Sequence, residues 1–139
     1  MDKNCVFCRI INNEIPTVKI YEDKEVLAIL DTRPATKKGG HTLIMPKEHF
    51  ELITDLPDDL LNKLSLVIKK ISNALLKFGK GLNLLQNNKK IAGQAIPHVH
   101  FHLIPRFDND GVRVEKWESN EYKEGEAEKI ASKIRSFLK

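Results

Sequence analysis

A chain of 139 residues, 41% hydrophobic and 30% charged, has the size and composition of one globular domain with a real core, which excludes a disordered or collagen-like chain. The 23 Lys and Arg exceed the 19 Asp and Glu by four, but lysines and acids are interspersed and no basic block carries aromatics, so small phosphorylated ligands are favoured and a nucleic-acid partner is not expected. No stretch approaches transmembrane length and the start, Met1-Asp2-Lys3-Asn4-Cys5, lacks an apolar leader core, so a cytoplasmic location without a membrane partner is expected.

In chain order, residues 5–13 are predicted as a short helix or turn holding both cysteines. Residues 18–21 and 26–30 are β-like runs joined by Glu22-Asp23-Lys24, a hairpin signature. Asp31-Thr32-Arg33-Pro34 ends the second run. Gly39-Gly40 leads into a third, His41-Thr42-Leu43-Ile44-Met45, stopped by Pro46. Pro57 opens a long helix in which Asp58 and Asp59 complement the helix dipole. Leu60, Leu64, Val67, Ile68, Ile71 and Leu75 recur there at helical spacing, and Gly79 and Gly81 close it. Residues 82–86 are predicted as a fourth strand, 87–93 as a polar loop and 98–104 as a fifth strand. A charged helix over about 124–138 carries Ala127, Ile130, Ile134 and Leu138 on one stripe. This order predicts an α+β domain, a five-stranded, mostly antiparallel sheet with one long helix and a C-terminal helix.

The fifth run, His98-Val99-His100-Phe101-His102-Leu103-Ile104, sets three of the five histidines in strict alternation with apolar residues. On a strand the imidazoles share one face, roughly 6.5 to 7 Å apart per step, while Val99, Phe101 and Leu103 enter the core. Pro97 and Pro105 bracket the run, because proline cannot donate within a central ladder. Such a row suits a metal centre, with neutral rings as ligands, or nucleophilic catalysis, with one ring nitrogen free and the other held by a hydrogen bond. Spacing alone does not choose between them. Cys5-x-x-Cys8 in a reducing compartment reads as a metal clip or a redox pair. By composition alone Asp31 is a turn residue, Asn87 and Gln94 are loop polarity, and Phe7, Ile29, Leu30 and Trp117 are packing residues.

Taken together these segments resemble the histidine triad (HIT) family, in its Hint-like branch. The 98–104 run matches the family's signature of alternating histidines. Phe7-Cys8-Arg9-Ile10-Ile11 with Glu14-Ile15-Pro16 looks like its opening, and Leu27-Ala28-Ile29-Leu30-Asp31 like its nucleoside-binding strand. Gly40-His41-Thr42-Leu43-Ile44-Met45-Pro46-Lys47-Glu48-His49 resembles a further family segment, and Asn87 and Gly93-Gln94 precede the triad in the family's order. The likeness covers about residues 5–107, within a single HIT domain over 1–139 whose C-terminal segment, from about 108 and including Trp117, falls where the family varies most.

The resemblance implies a HIT-like fold, a homodimer whose two sheets join, and nucleotidyl transfer at an α-phosphate. The leading reaction is hydrolysis of nucleoside 5′-phosphoramidates, with AMP and adenosine derivatives as ligands. Dinucleoside polyphosphate hydrolysis and a nucleotide-binding regulatory role are the alternatives. By the same resemblance His100 is the nucleophile, His102 and His41 donate to the phosphate, and His98 orients the nucleophile's surroundings. Asp31 would hold the ribose hydroxyls, Asn87, Gly93 and Gln94 the phosphate, and Phe7 and Leu30 the base. Ala95 departs from the pattern, because Hint-like proteins often place a hydroxyl there to assist the leaving group. Cys5, Cys8, His49 and His98 would hold a structural zinc as a closed Cys2His2 set, and no organic cofactor is expected.

Overall fold

The computed structural model describes residues 1–138, in which five strands form one sheet of order β1-β2-β3-β5-β4 with every neighbouring pair antiparallel. Strands β2 (Val26–Leu30) and β3 (Thr42–Pro46) are almost wholly buried, which is why they read as continuous apolar runs. Their side chains divide by parity. Val26, Ala28 and Ile44 join Val99, Phe101 and Leu103 in a core under helix α2 (Asp58–Phe78). Leu27, Ile29, Leu43 and Met45 enter a second core with Cys5, Phe7, Cys8 and Ile10, on or beside helix α1 (Val6–Ile11). Strand β1 (Lys19–Glu22) is one edge of the sheet and β4 (Gly81–Gln86) the other.

Helix α2 starts as its sequence dictates, with Pro57 before it and Asp58 and Asp59 in the first turn, and it buries Leu60, Leu64, Val67, Ile71 and Leu75. Its C-terminus packs closely on the chain leading into β3. A Cβ on Gly40, at φ +83°, would come within 2.7 Å of the Phe78 ring and 2.9 Å of Pro105. Only glycine fits there.

Element boundaries differ from the sequence expectation, most clearly at β5, β3 and the C-terminal helix. Strand β5 spans Phe101–Arg106 rather than 98–104, so Pro105 lies inside it and His98 to His100 form an irregular lead-in that bends at His98. The ladder with β3 ends at Leu103, while that with β4 runs on to Arg106. Proline is tolerated where one flank of a strand has no ladder to lose. Pro46 likewise ends β3 from within rather than stopping it from outside. The C-terminal helix, α3, spans Glu126–Ser136, shorter than 124–138, and none of its residues is buried. Its apolar stripe marks a helix without marking a core element: Ile130 is 39% and Ile134 54% exposed.

The packing of α2 makes a direct prediction. Leu64 is fully buried and Leu66 is 67% exposed on the same helix. Leu64→Ala should lower unfolding free energy by about 3 kcal/mol, and Leu66→Ala by about 0.5 kcal/mol or less, in urea titrations followed by circular dichroism.

Candidate active site and metal centre

The lead-in to β5 is held by backbone bonds: Val99 N–H donates to Phe50 O at 2.7 Å and His98 N–H to Ile96 O at 2.8 Å. Alternation then puts His98, His100 and His102 on the α1 side, opposite Val99, Phe101 and Leu103. The cross-strand pairs agree with this, because His102 faces Leu43 while Phe101 faces Ile44. The rings do not act as one row. Each has a different set of partners.

His98 is fully buried and joins Cys5, Cys8 and His49 in a cluster whose donor atoms all lie within 4.8 Å of one another. Its Nε2–H donates to Pro46 O at 2.8 Å, so Nδ1 carries the lone pair and faces the cluster. That Nδ1 lies 3.5 Å from Cys5 Sγ, 3.6 Å from Cys8 Sγ and 3.2 Å from His49 Nδ1, and His49 Nδ1 lies 3.4 Å from Cys8 Sγ. Ordinary zinc–sulfur and zinc–nitrogen bonds at tetrahedral angles give separations of about 3.6 Å for S···N and about 3.3 Å for N···N. The four separations match those of a tetrahedral ion, and the remaining two donor pairs lie within 4.8 Å. A backbone carbonyl on the far nitrogen of His98 is the outer partner a ligating imidazole needs, and Asp2 Oδ2 stands 4.0 Å from the far nitrogen of His49. Burial pushes the Cys5 thiol up and holds the His98 imidazole down at about 4, so a neutral ring is available as a ligand.

Asp31, His41 and His102 form a second group of possible ligands, also within 4.8 Å of one another, but its protons are placed the other way. His41 Nδ1 accepts from Ala35 N–H at 3.0 Å, which leaves the neutral ring's proton on Nε2. That Nε2 lies 2.9 Å from His102 Nδ1 and donates to it, so the proton of His102 sits on its own Nε2. A metal on His41 Nε2 would require a proton on the nitrogen that faces a backbone donor. The group is a hydrogen-bond relay, not a metal cage.

His100 lies between the two groups. Its Nδ1–H donates to His98 O at 2.7 Å, leaving Nε2 as the nitrogen with a free lone pair. His100 and His102, with ring centroids 5.0 Å apart, line a cavity of about 350 Å³. Val6, Phe7, Ile10, Ile29, Leu30 and Leu43 supply much of its apolar wall. Phe7 meets the rings of His98 and His100 edge-on, at 5.9 and 5.0 Å. Desolvation lowers the proton affinity of His41, His100 and His102, the last to about 4, so all three are neutral near pH 7.

The cavity brings together Phe7, Leu30, Asp31, Gly93, Ala95, His100 and His102. Asp31 has two roles: Oδ1 accepts Arg33 N–H at 2.9 Å as a turn residue, while Oδ2 stands 3.7 Å from His41 Nε2. Gly93, at φ +96°, takes a backbone conformation that a side chain would strain. His41 is not among the lining residues and stands behind His102. Gln94 and Asn87 also lie outside the lining. The Gln94 side chain is engaged with the loop, accepting Lys89 N–H at 2.7 Å and donating to Glu51 O at 2.7 Å. Asn87 Nδ2 lies beside Gly93, 3.4 Å from where a Cβ would stand. Trp117 is 74% exposed. Sequence reasoning passed over Thr17, Thr32 and Ile96, which line the cavity, and the backbone groups of Ala35, Pro46 and His98 that set the imidazole protons. Backbone atoms leave no mark in a sequence.

Comparison with known proteins places this geometry in a family. A family model described as "HIT domain" matches residues 12–109. An uncharacterized HIT-like protein of Methanocaldococcus jannaschii is 49% identical over 108 residues, covering 77% of this chain and 82% of the relative. An adenosine 5′-monophosphoramidase of Saccharomyces cerevisiae is 41% identical over 121 residues, covering 87% of this chain and 74% of the relative. Among solved structures, a HIT family protein from Bacillus anthracis is 42% identical with a TM-score of 0.87, and 100% of each chain is covered.

The buried neutral imidazoles carry a pH signature. The folded value of His102, about 4, is below the ordinary value near 6.5, so the unfolded chain takes up this proton first as pH falls. The contribution is fully present above pH of about 6.5 and is lost as pH falls toward about 4. His100, His41 and Asp31 face the ring and remain in a His102→Gln variant. Its melting temperature should therefore fall less steeply than the parent's between pH 6.5 and 4, and parallel curves would contradict the assignment.

Proposed function

The chain belongs to the HIT family, and from that premise we propose that it is a nucleotide hydrolase acting at the α-phosphate of adenosine 5′-phosphoramidates and related nucleoside derivatives. The observation that carries this reading is the His100 Nδ1–H bond to His98 O at 2.7 Å, which commits the opposite nitrogen to act as a base or nucleophile in a ring that lines the cavity. His100 Nε2 forms a bond to phosphorus as the bond from phosphorus to the leaving nitrogen breaks, and the departing amine takes a proton from solvent. The ring becomes cationic, and its hydrogen bond to the His98 carbonyl becomes charge-assisted. Water then attacks phosphorus, the P–Nε2 bond breaks, nucleoside monophosphate leaves, and one proton returns to solvent.

In this reading His102 presents its Nε2–H to a non-bridging phosphate oxygen. His41 acts behind it by claiming Nδ1, rather than by touching the phosphate itself. The free Oδ2 of Asp31 accepts from the ribose hydroxyls, and the apolar wall with Phe7 and Leu30 takes the base. Gly93 lets the backbone approach the phosphate, while Asn87 and Gln94 shape the loop that carries it. Zinc is the resident ion we propose for Cys5, Cys8, His49 and His98, because two thiolates and two imidazoles at tetrahedral spacing suit it. When bound it supplies folding energy and fixes His98. The same reading includes a homodimer joined sheet to sheet, for which edge strand β4, with Leu84 52% exposed, offers a surface.

His100→Gly should reduce turnover of a lysyl or tryptamine adenosine phosphoramidate by more than about 10³-fold while AMP still binds in calorimetry. Rapid quenching of the parent should give a nucleotidyl adduct on the peptide containing His100 by mass spectrometry. Full activity in the variant would end the assignment. AMP binding by a parent protein that turns over no such substrate would identify a nucleotide sensor instead.

Metal analysis should find one zinc per chain. Cys8→Ser should lose it and melt more than about 5 °C lower. A metal-free parent with an unchanged Cys8→Ser melting temperature would remove zinc from the proposal.

A further inference from the structure

We infer that the metal cluster and the nucleotide cavity are thermodynamically coupled through α1, with Phe7 as the positioning residue that joins them. This rests on the nucleotide reading above and adds a regulatory consequence to it. Helix α1 and its cap serve both sites. Cys5, the cap, and Cys8 face the cluster, whereas Val6, Phe7 and Ile10 line the cavity. The helix pairs with no strand. It is held by the second core and by the two cysteines.

Phe7 is 3% exposed, and its ring abuts both the cluster's His98 and the proposed nucleophile His100, in each case at an interplanar angle of 82°. A second link runs through the backbone, since the carbonyl of His98 holds His100 Nδ1–H. An ion that draws Cys5 and Cys8 onto His49 and His98 orders the same helix that a bound nucleoside must press against. Whichever ligand binds first leaves less to be ordered for the second, so each raises the other's affinity by the same factor. The metal is then more than a fold staple: nucleotide occupancy retains it, and its loss loosens the wall of the cavity.

Zinc affinity of the full chain, measured by competition with a chromogenic chelator, tests this with and without saturating AMP. The expected result is about a tenfold tighter zinc site with AMP present, and the reciprocal tenfold in AMP affinity between metal-loaded and metal-depleted protein. Phe7→Leu, which trims the wall that takes the base, should bind AMP more weakly and, at saturating AMP, bring the ratio close to one, whereas Phe7→Tyr, which keeps the ring, should retain it. A residue that only filled space would change loading or stability and leave the ratio intact. AMP that binds the parent without moving its zinc affinity overturns the coupling, and so does a ratio preserved in Phe7→Leu. The parent comparison decides the coupling even where the variant fails to fold. Failure of AMP to bind the metal-loaded parent would instead overturn the nucleotide reading, and the coupling with it.

Discussion

The site depends on one constraint: each of its working imidazoles has one nitrogen claimed, directly or through one neighbour, by the backbone. Pro46 O takes the Nε2–H of His98, His98 O takes the Nδ1–H of His100, and Ala35 N–H occupies Nδ1 of His41. Neutral imidazole has one proton, so fixing one nitrogen decides what the other can do. Four rings of the same chemical type, three buried and His102 half-buried, thereby differ in which nitrogen is free, and in the proposed reading they serve as a metal ligand, a nucleophile and a two-ring donor relay. Burial contributes by keeping them neutral. A protonated His100 would have no lone pair to offer, and a protonated His98 could not ligate.

The fold makes these backbone partners available where they are needed. Asp31 follows β2 and His41 precedes β3, and Asp31 N–H donates to His41 O at 2.8 Å, so the carboxylate and the relay meet at one end of the sheet. At the other end of β3, Pro46 offers its carbonyl to His98. Burial of β2 and β3 on both faces gives the site a rigid floor. The exception is α1, a six-residue helix too short to be stable alone, to which the cavity nonetheless entrusts one of its walls.

The sequence reveals the strands and residue types better than it reveals the protons. The apolar runs at 26–30 and 42–46 and the alternation of Val99, Phe101 and Leu103 are visible because burial imposes them on side chains. The extent of β5 is not, because Pro105 forbids a ladder bond only on the flank where a partner strand lies, and the end of β3 is a tertiary fact. Gln94 shows the same limit. Its amide suits a phosphate or a loop, and only the fold shows it bonded to Lys89 N–H and Glu51 O. In α3 the periodicity of Ile130 and Ile134 announces a helix but cannot say whether another surface lies against it. The two histidine groups are the sharpest case. Both offer metal-ligating residue types within one ion's reach, and the difference between them is the sign of a backbone partner, carbonyl for His98 and N–H for His41.

In the proposed reading, that difference also separates the metal cluster from the reaction centre within one short segment. A cation bound at His98 would act on His100 through space, and it would also set the tautomer of His100 if the two rings shared a proton. They do not: His98 turns Nδ1 to the cluster and Nε2 to Pro46 O, and the hydrogen bond that links it to His100 is accepted by its carbonyl oxygen. A carbonyl dipole accepts a proton's hydrogen bond without being able to take the proton, so the cluster can fix the orientation of His100 while leaving its tautomer alone. Orientation passes along the backbone, while the charge of either ring still acts on the other through space. In the proposed reading the His-x-His spacing lets one residue of the pair ligate and the other react.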